Sequence, residues 1–382
     1  MKTYDVIVVG VGGIGSAIAL HAARRKLRVL GIEQHSLPNR RGSSHGITRI
    51  LRVGLNESPT YVPLVLRALD LWRELSGQIG TPLFLNNGSF DLAEPSSRVF
   101  QGSKAACEKF ALRHEILDPA EMRRRFPGIR PDPEMLAVFQ PDSGLVLCEA
   151  ATEAHLRLAL DASAELHGYE RMLAWEQRGE LYRVTTDRDA YECRSLVIST
   201  GAWAGRMLSR FGISIKAERQ VMGWFQPERN EDHFAPARMP SWIIDSPSLG
   251  HFYGLPICGI PGFKLAKFVF GDIVDPADPL LEAQPHEEET LRVFLRRYFP
   301  DANGPVMSLV TSFFENTPDR NFIIDELPGH KNLWLAVGFS GHGFKYAPAI
   351  GELMADLATA KPPRYDLTPF RVSRFTPNPG HC

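Results

Sequence analysis

Three groups of residues in this chain have the types and spacing to do chemistry. Arg49 and Arg52 follow a short polar loop, Gly42-Ser43-Ser44-His45-Gly46. Three positions apart, the two arginines project the same way from a turn or helix. Two planar guanidinium forks beside a glycine-rich loop suit a small carboxylate, which such a fork binds bidentately. A solvated helix start with unpaired arginines fits the same spacing. Lys264 stands inside an apolar run, Phe263 to Ala266, where its ammonium either snorkels to water or is deliberately buried. Lysines are rarely fully buried, so the run by itself favours snorkelling. Near the C-terminus, Val337-Gly338-Phe339-Ser340-Gly341-His342-Gly343-Phe344-Lys345 is a glycine loop leading into a helix. Such a start presents backbone N–H groups and a positive dipole end, suited to developing negative charge. His342 has no second His or carboxylate at ligand spacing, so no metal site is expected.

These residues need a scaffold, and the N-terminal segment indicates which. Tyr4 to Val9 is a buried strand running straight into Gly10-Val11-Gly12-Gly13-Ile14-Gly15. Glu33 closes a second apolar run, Leu27 to Ile32. Strand, glycines, helix and acid in register form the dinucleotide-binding βαβ fingerprint. Gly10 permits the tight turn, Gly12 lets the backbone approach a pyrophosphate, and Gly15 lets the helix pack closely on the strand. Gly13 and Ile14 open the helix on whose N-terminus the pyrophosphate rests, and Glu33 is placed to bond the adenosine ribose hydroxyls. An acid at 33 would repel a 2′-phosphate, which disfavours NADP and leaves FAD or NAD.

Strand–glycine–helix punctuation recurs at Leu196 to Trp203, with Thr200 and Gly201 at the turn, and again from Leu333 to Leu357. The nucleotide domain is therefore expected to be discontinuous, with another domain threaded through it. Tyr61 to Leu75 has the 3.6-residue periodicity of a helix with one buried face. Residues 83–93 and 136–147 read as strands, 105–126 and 149–166 as helices. Between Gln220 and Phe314, short strand-like runs (Trp242 to Ile244, Phe252-Tyr253, Lys267 to Phe270) alternate with Pro/Gly turns, around one helix near Glu287 to Tyr298. That is the pattern of an antiparallel substrate-capping sheet.

Composition excludes several classes. The 382 residues allow two or three cores, and a formal net charge of −1 leaves no footprint for nucleic acid or anionic membrane. No run approaches ~18 consecutive apolar residues, so no spanning helix is expected. Five widely spaced cysteines without a CxxC fit a reducing, cytoplasmic compartment.

The motifs Gly-Ser-x-His-Gly-x-Thr-Arg at 42–49, Tyr-Val-Pro-Leu at 61–64, Asn-Thr-Pro-Asp with Phe-Ile-Ile-Asp within 316–325, and Gly-Phe-Ser-Gly-His-Gly-Phe-Lys at 338–345 occur in this order. Together they resemble the monomeric sarcosine oxidase and N-methyltryptophan oxidase family of FAD-dependent amine oxidases, over essentially the whole chain. The resemblance implies an α/β fold with a glutathione-reductase-type FAD domain (1–82, 146–215 and 318–382) and an α+β, sheet-based substrate domain (83–145 and 216–317). It implies that Arg52 and Lys345 clamp the substrate carboxylate, that Lys264 lies near flavin N5 and activates O₂, and that Tyr253 is an active-site tyrosine. Ser44, His45 and Arg49 would lie against the flavin, as would Gly341, His342, Gly343, Phe344 and Lys345, with the helix start stabilising negative charge at N1/C2=O.

Three positions depart from the family pattern. Ser312 stands where the family carries its flavin-linking cysteine, and a hydroxyl offers no thiolate, so non-covalent FAD is expected. Phe314 replaces a tyrosine and Phe268 a histidine, making the side-chain end of the pocket more apolar. The expected substrate is then an N-methyl, N-substituted, cyclic or bulky apolar amino acid. The implied reaction is hydride transfer to flavin N5, hydrolysis of the imine, and reoxidation by O₂ to give H₂O₂. A dehydrogenase with a quinone or protein acceptor, and a non-catalytic FAD-binding subunit, are the competing readings; an NAD-dependent dehydrogenase ranks last.

Overall fold

The computed structural model describes residues 2–268, 271–278 and 282–375. Val269 and Phe270, expected to end a strand, and the cysteine at 382 lie outside the described residues. Three sheets organise the chain. In the first, Thr3–Val9 lies between Val29–Ile32 and Ala190–Ile198, parallel to both, and Leu333–Val337 pairs in parallel with the second half of Ala190–Ile198. Glu165–His167 extends the parallel edge beyond Val29–Ile32. Every residue of Val29–Ile32 is buried, as expected of a strand covered on both faces. Helix Gly13–Arg24 covers this sheet and packs between helices Cys148–Asp161 and Ala347–Leu357. Gly351 permits the closest approach: a Cβ there would lie 2.6 Å from the Ala17 carbonyl oxygen.

The second sheet has eight strands. Its longest pair, Lys216–Phe225 against Val306–Asn316, is antiparallel, and Phe263–Lys267, Gly250–Leu255 and Ser241–Ser246 continue it. Ser241–Ser246 then pairs in parallel with Ser89–Ala93, so the expected antiparallel sheet is mixed at this point. A small third sheet joins Thr48–Leu51, Gly144–Leu147 and Phe84–Leu85.

Several expected elements differ. The single helix over 105–126 is two, Arg98–Lys109 and Pro119–Arg125, with strand Glu115–Leu117 between them. Ala111 adopts φ +51, which ends the first helix, and the Asp118 side chain accepts from Glu121 N to start the second. The helix over 149–166 stops at Asp161, and Ser163 at φ +70 turns the chain into strand Glu165–His167. The strand expected from Lys267 onward lies earlier, over Phe263–Lys267, and ends at Lys267. Helices Val62–Ile79 and Pro285–Tyr298 form where periodicity places them.

The nucleotide turn depends on two close backbone approaches. Gly10 has φ +87, and a Cβ there would lie 2.5 Å from the Ser199 carbonyl oxygen. A Cβ on Gly15 would collide with the Gly10 carbonyl. Gly15→Ala should therefore cost about 1–3 kcal/mol by overpacking and displace the helix start from the turn. Urea unfolding and the flavin absorbance of the purified protein check this; a variant with wild-type stability and flavin content would refute it.

Candidate functional site

Two adjoining cavities of about 600 and 610 Å³ share Ile14, Ser43, Ser44, Glu315 and Phe339 in their walls. The first is lined by Gly10, Gly12, Gly13, Glu33, Thr200 and Gly201. Glu33 is fixed there by two backbone donors, Val11 N to Oε2 at 3.0 Å and His35 N to Oε1 at 3.0 Å. Ser199 Oγ ties the crossing strand to the turn, donating to the Gly10 carbonyl at 2.8 Å. Gly15 is not in the cavity wall; its place is the helix–strand contact.

The second cavity is lined by Arg49, Arg52, Glu57, Tyr253, Phe268, Ser312, Phe314 and the loop Gly341 to Lys345. One end is charged. Arg52 Nη1 bonds Asp91 Oδ2 at 2.8 Å and Asn56 Oδ1 at 2.7 Å, while Nη2 bonds Glu57 Oε1 at 2.9 Å. The same Glu57 oxygen lies 3.5 Å from Lys345 Nζ. Burial disfavours the charged guanidinium, but Asp91 and Glu57 outweigh it and raise its pKa. Burial likewise acts to raise Glu57, and Arg52 and Lys345 reverse this, holding it well below the usual carboxylate range. Glu57 thus occupies the point between two cations that a ligand carboxylate would otherwise take. Gln140 clamps the backbone beyond Arg52, exchanging hydrogen bonds with Gly54 N and O, and Trp72 Nε1 holds the Lys345 carbonyl at 2.9 Å.

Another part of the lining is aromatic. The Phe268 ring lies 5.4 Å from Phe314 and 6.4 Å from Tyr253, centroid to centroid. Ser312 is buried in the same wall, and none of the described cysteines lines either cavity.

The helical premise for Arg49 and Arg52 fails. Thr48–Leu51 is a strand, and the two arginines enter separate networks. Arg49 donates to the carbonyls of Ser43, His45 and Thr48, bracing the polar loop, while Arg52 joins the acids. Lys264 does not snorkel: it is 1% exposed, and Nζ donates to Gly46 O and Thr48 O, each at 2.7 Å. Burial, reinforced by Arg49, lowers its pKa well below the ordinary lysine value. Neither Lys264 nor His45 is among the residues that line the two cavities. Burial brings His45 and His342 each down to about 4, so both are neutral at pH 7. His342 Nε2 faces the Arg320 carbonyl at 3.3 Å, leaving Nδ1 without a partner. Residues 344–346 form a 3₁₀ turn that precedes helix Ala347–Leu357, so the glycine loop enters the helix less directly than expected.

A profile of the FAD-dependent oxidoreductase family matches residues 5–357. The chain belongs to this family. It is 40% identical over 359 residues to the monomeric sarcosine oxidase of Streptomyces avermitilis, covering 93% of this chain and 94% of the relative. It is 32% identical over 376 residues to the N-methyl-L-tryptophan oxidase of Salmonella agona, covering 98% and 99%. The fold matches a mutant of NikD, described as an unusual amino acid oxidase essential for nikkomycin biosynthesis, with a TM-score of 0.85 at 25% identity over 97% of each chain.

The walls of this oxidoreductase fit FAD. Ser43 Oγ and Thr200 Oγ1 are buried, without partners, and line the first cavity. A Cβ on Gly12 would meet nothing within 4 Å, leaving room for a phosphate against the helix start. Two chambers in series suit a long ligand whose halves differ in chemistry. Among the described residues, no helix is long and apolar enough to cross a membrane.

Glu57, Asp91 and Glu315 escaped the sequence reading. Asp91 did carry a signal, as the one acid in a wholly buried strand, Ser89–Ala93. Burial lowers Lys345 to about 8, against the pull of Glu57. The cavity's charged end therefore loses one positive charge as pH rises through that value. The Kd of an amine-free carboxylate such as benzoate should rise above pH 8, by at most about tenfold per pH unit. In Lys345→Met, binding should be weak and flat with pH. A variant that keeps the wild-type pH profile would remove Lys345 from carboxylate binding.

Proposed function

We propose that this chain oxidises an amino acid-type amine that is N-methylated, N-substituted, cyclic, or bulky and apolar at its side chain. The observation that carries this reading is a single cavity lined both by two buried cations, Arg52 and Lys345, and by the rings of Tyr253, Phe268 and Phe314. The cations suit a carboxylate and the rings suit an apolar body. The sarcosine and N-methyltryptophan oxidases among its relatives support the same class. FAD, when bound, supplies the two-electron acceptor for a hydride from the carbon next to the amine nitrogen.

Gly10, Gly12, Gly13, Ile14, Glu33, Thr200 and Gly201 would hold the nucleotide half. Ser44, Arg49 and the Gly341 to Lys345 loop would hold the ring half. Arg52 and Lys345 orient the substrate once its carboxylate displaces Glu57 from between them, and their charge favours the neutral, reactive amine. Lys264 is proposed as the group that favours reaction with O₂, giving H₂O₂. Its absence from the cavity lining also favours a second reading, a dehydrogenase with a non-oxygen acceptor. The parallel-sheet segments, within 1–82, 146–215 and 318–382, are assigned to FAD, and 83–145 with 216–317 to the substrate. Free thiols at Cys107, Cys148, Cys193 and Cys258 fit a cytoplasmic enzyme.

Anaerobic mixing with a panel of amines tests the activity. The panel would hold sarcosine, other N-methyl and cyclic amino acids, and bulky primary amino acids of both hands. One amine class should bleach the flavin, and colour should return with H₂O₂ when air is admitted. Bleaching that only a dye or quinone reverses would establish the dehydrogenase; no bleaching by any amine would end the proposal.

Ser312 and the absence of described cysteines from the walls support non-covalent FAD. Acid precipitation should then leave yellow flavin in the supernatant, and flavin retained in the pellet would overturn this.

A further inference from the structure

Glu315 is a buried carboxyl with no part in the scheme above. It lies on strand Val306–Asn316, is 6% exposed, and belongs to the walls of both cavities, at the seam where they adjoin. Its Oε2 has no hydrogen-bond partner, and a Cβ built on Gly201 would lie 4.0 Å from that oxygen. The groups that face it are Ala217 on the adjacent strand, the turn Gly201–Trp203, and the loop Gly338 to Ser340, whose Ser340 N–H donates to the Glu315 carbonyl. None of these titrates. Burial raises the carboxyl to about 7, opposed by the backbone N–H groups of Gly338 and Phe339.

Leaving a buried polar atom unpaired forfeits its hydration with nothing in return. A carboxyl stranded in a wall shared by two ligand chambers is one whose partner arrives with the ligand. We propose that Glu315 is a cofactor-binding residue that, as a neutral acid, donates a hydrogen bond from Oε2 to an acceptor of FAD on the stretch passing from one chamber to the other. This rests on the FAD-binding reading of the cavities and adds a specific contact to it.

The proposal has a redox consequence. A hydrogen bond to an acceptor favours the neutral acid, so in the holoprotein Glu315 ionises at or above neutrality. Added electron density on the cofactor favours the neutral acid further. Within the pH window between ionisation in the oxidised and reduced states, two-electron reduction therefore takes up one additional proton, carried by Glu315.

Midpoint potentials of the bound flavin, measured from pH 6 to 9.5 on holoprotein, test this, and they do so whether or not FAD is covalently held. Above neutrality the wild-type potential should fall more steeply with pH than that of Glu315→Gln, by one proton per two electrons. The wild-type visible bands should also shift over one ionisation that Glu315→Gln lacks. Glu315→Leu, which keeps bulk but cannot donate, should have shifted bands at every pH; should it fail to fold, the comparison of wild type with Glu315→Gln is decisive by itself. Superimposable slopes and spectra for wild type and Glu315→Gln, with FAD bound, would overturn the role of Glu315 alone. A protein that takes up no FAD at all would overturn the cavity reading beneath it.

Discussion

The structure depends on a buried group of four charges: Arg52, Asp91, Glu57 and Lys345. They come from three parts of the fold, with Glu57 five residues after Arg52 on the same segment. Arg52 follows the small sheet, Asp91 sits within the eight-stranded sheet, and Lys345 follows the glycine loop after the last parallel strand. Taking such groups from water costs several kcal/mol per ion, and the loss is offset only where every charge has a partner at good distance. The ion pairs here run from 2.8 to 3.5 Å. The cluster therefore fixes how the sheets meet, and it sets two buried cations in the wall of the second cavity.

The first cavity is governed by a different constraint, the closeness of backbones. Gly10, Gly15 and Ser199 bring the first strand, the first helix and the crossing strand together more tightly than any side chain would allow. Glu33 and the helix start are placed by that contact, Glu33 accepting from Val11 N in the turn, and both lie in the chamber wall. Strand Val306–Asn316 passes along both chambers and supplies Ser312, Phe314 and Glu315 to their walls.

Local patterns were legible in the sequence where one segment carried its own signal. The glycine turn with its flanking strands, the amphipathic helix Val62–Ile79, and the glycine loop from Gly338 all form as periodicity and turn chemistry require. Elements set by distant partners were not. The hairpin Met172–Arg178 with Leu181–Thr186 is half-exposed and polar, and its strands are defined by pairing with each other and with Ala190–Ile198. The long strands Lys216–Phe225 and Val306–Asn316 carry Glu218, Arg219 and Glu315 at buried positions, which breaks the expected alternation. In the site, the arginines were recognisable by type, but their partners were not. Asp91 lies thirty-nine residues from Arg52, and only the fold brings it within 2.8 Å.

The chamber walls draw on residues from Val9 to Lys345, and that span has a meaning for how the enzyme is made. The nucleotide fingerprint is complete by Glu33, yet the sheet that supports it still lacks Ala190–Ile198 and Leu333–Val337. At about 5–20 residues per second of synthesis, the strand Thr3–Val9 waits roughly ten seconds or more for its partner Ala190–Ile198, which in turn waits for Leu333–Val337. The apolar stretch Val6 to Val9 held open for that long is a target for chaperones and for aggregation. The chamber walls are complete only once Lys345 has been made and helix Ala347–Leu357 packs on Gly13–Arg24, so a fully lined site belongs to the end of synthesis.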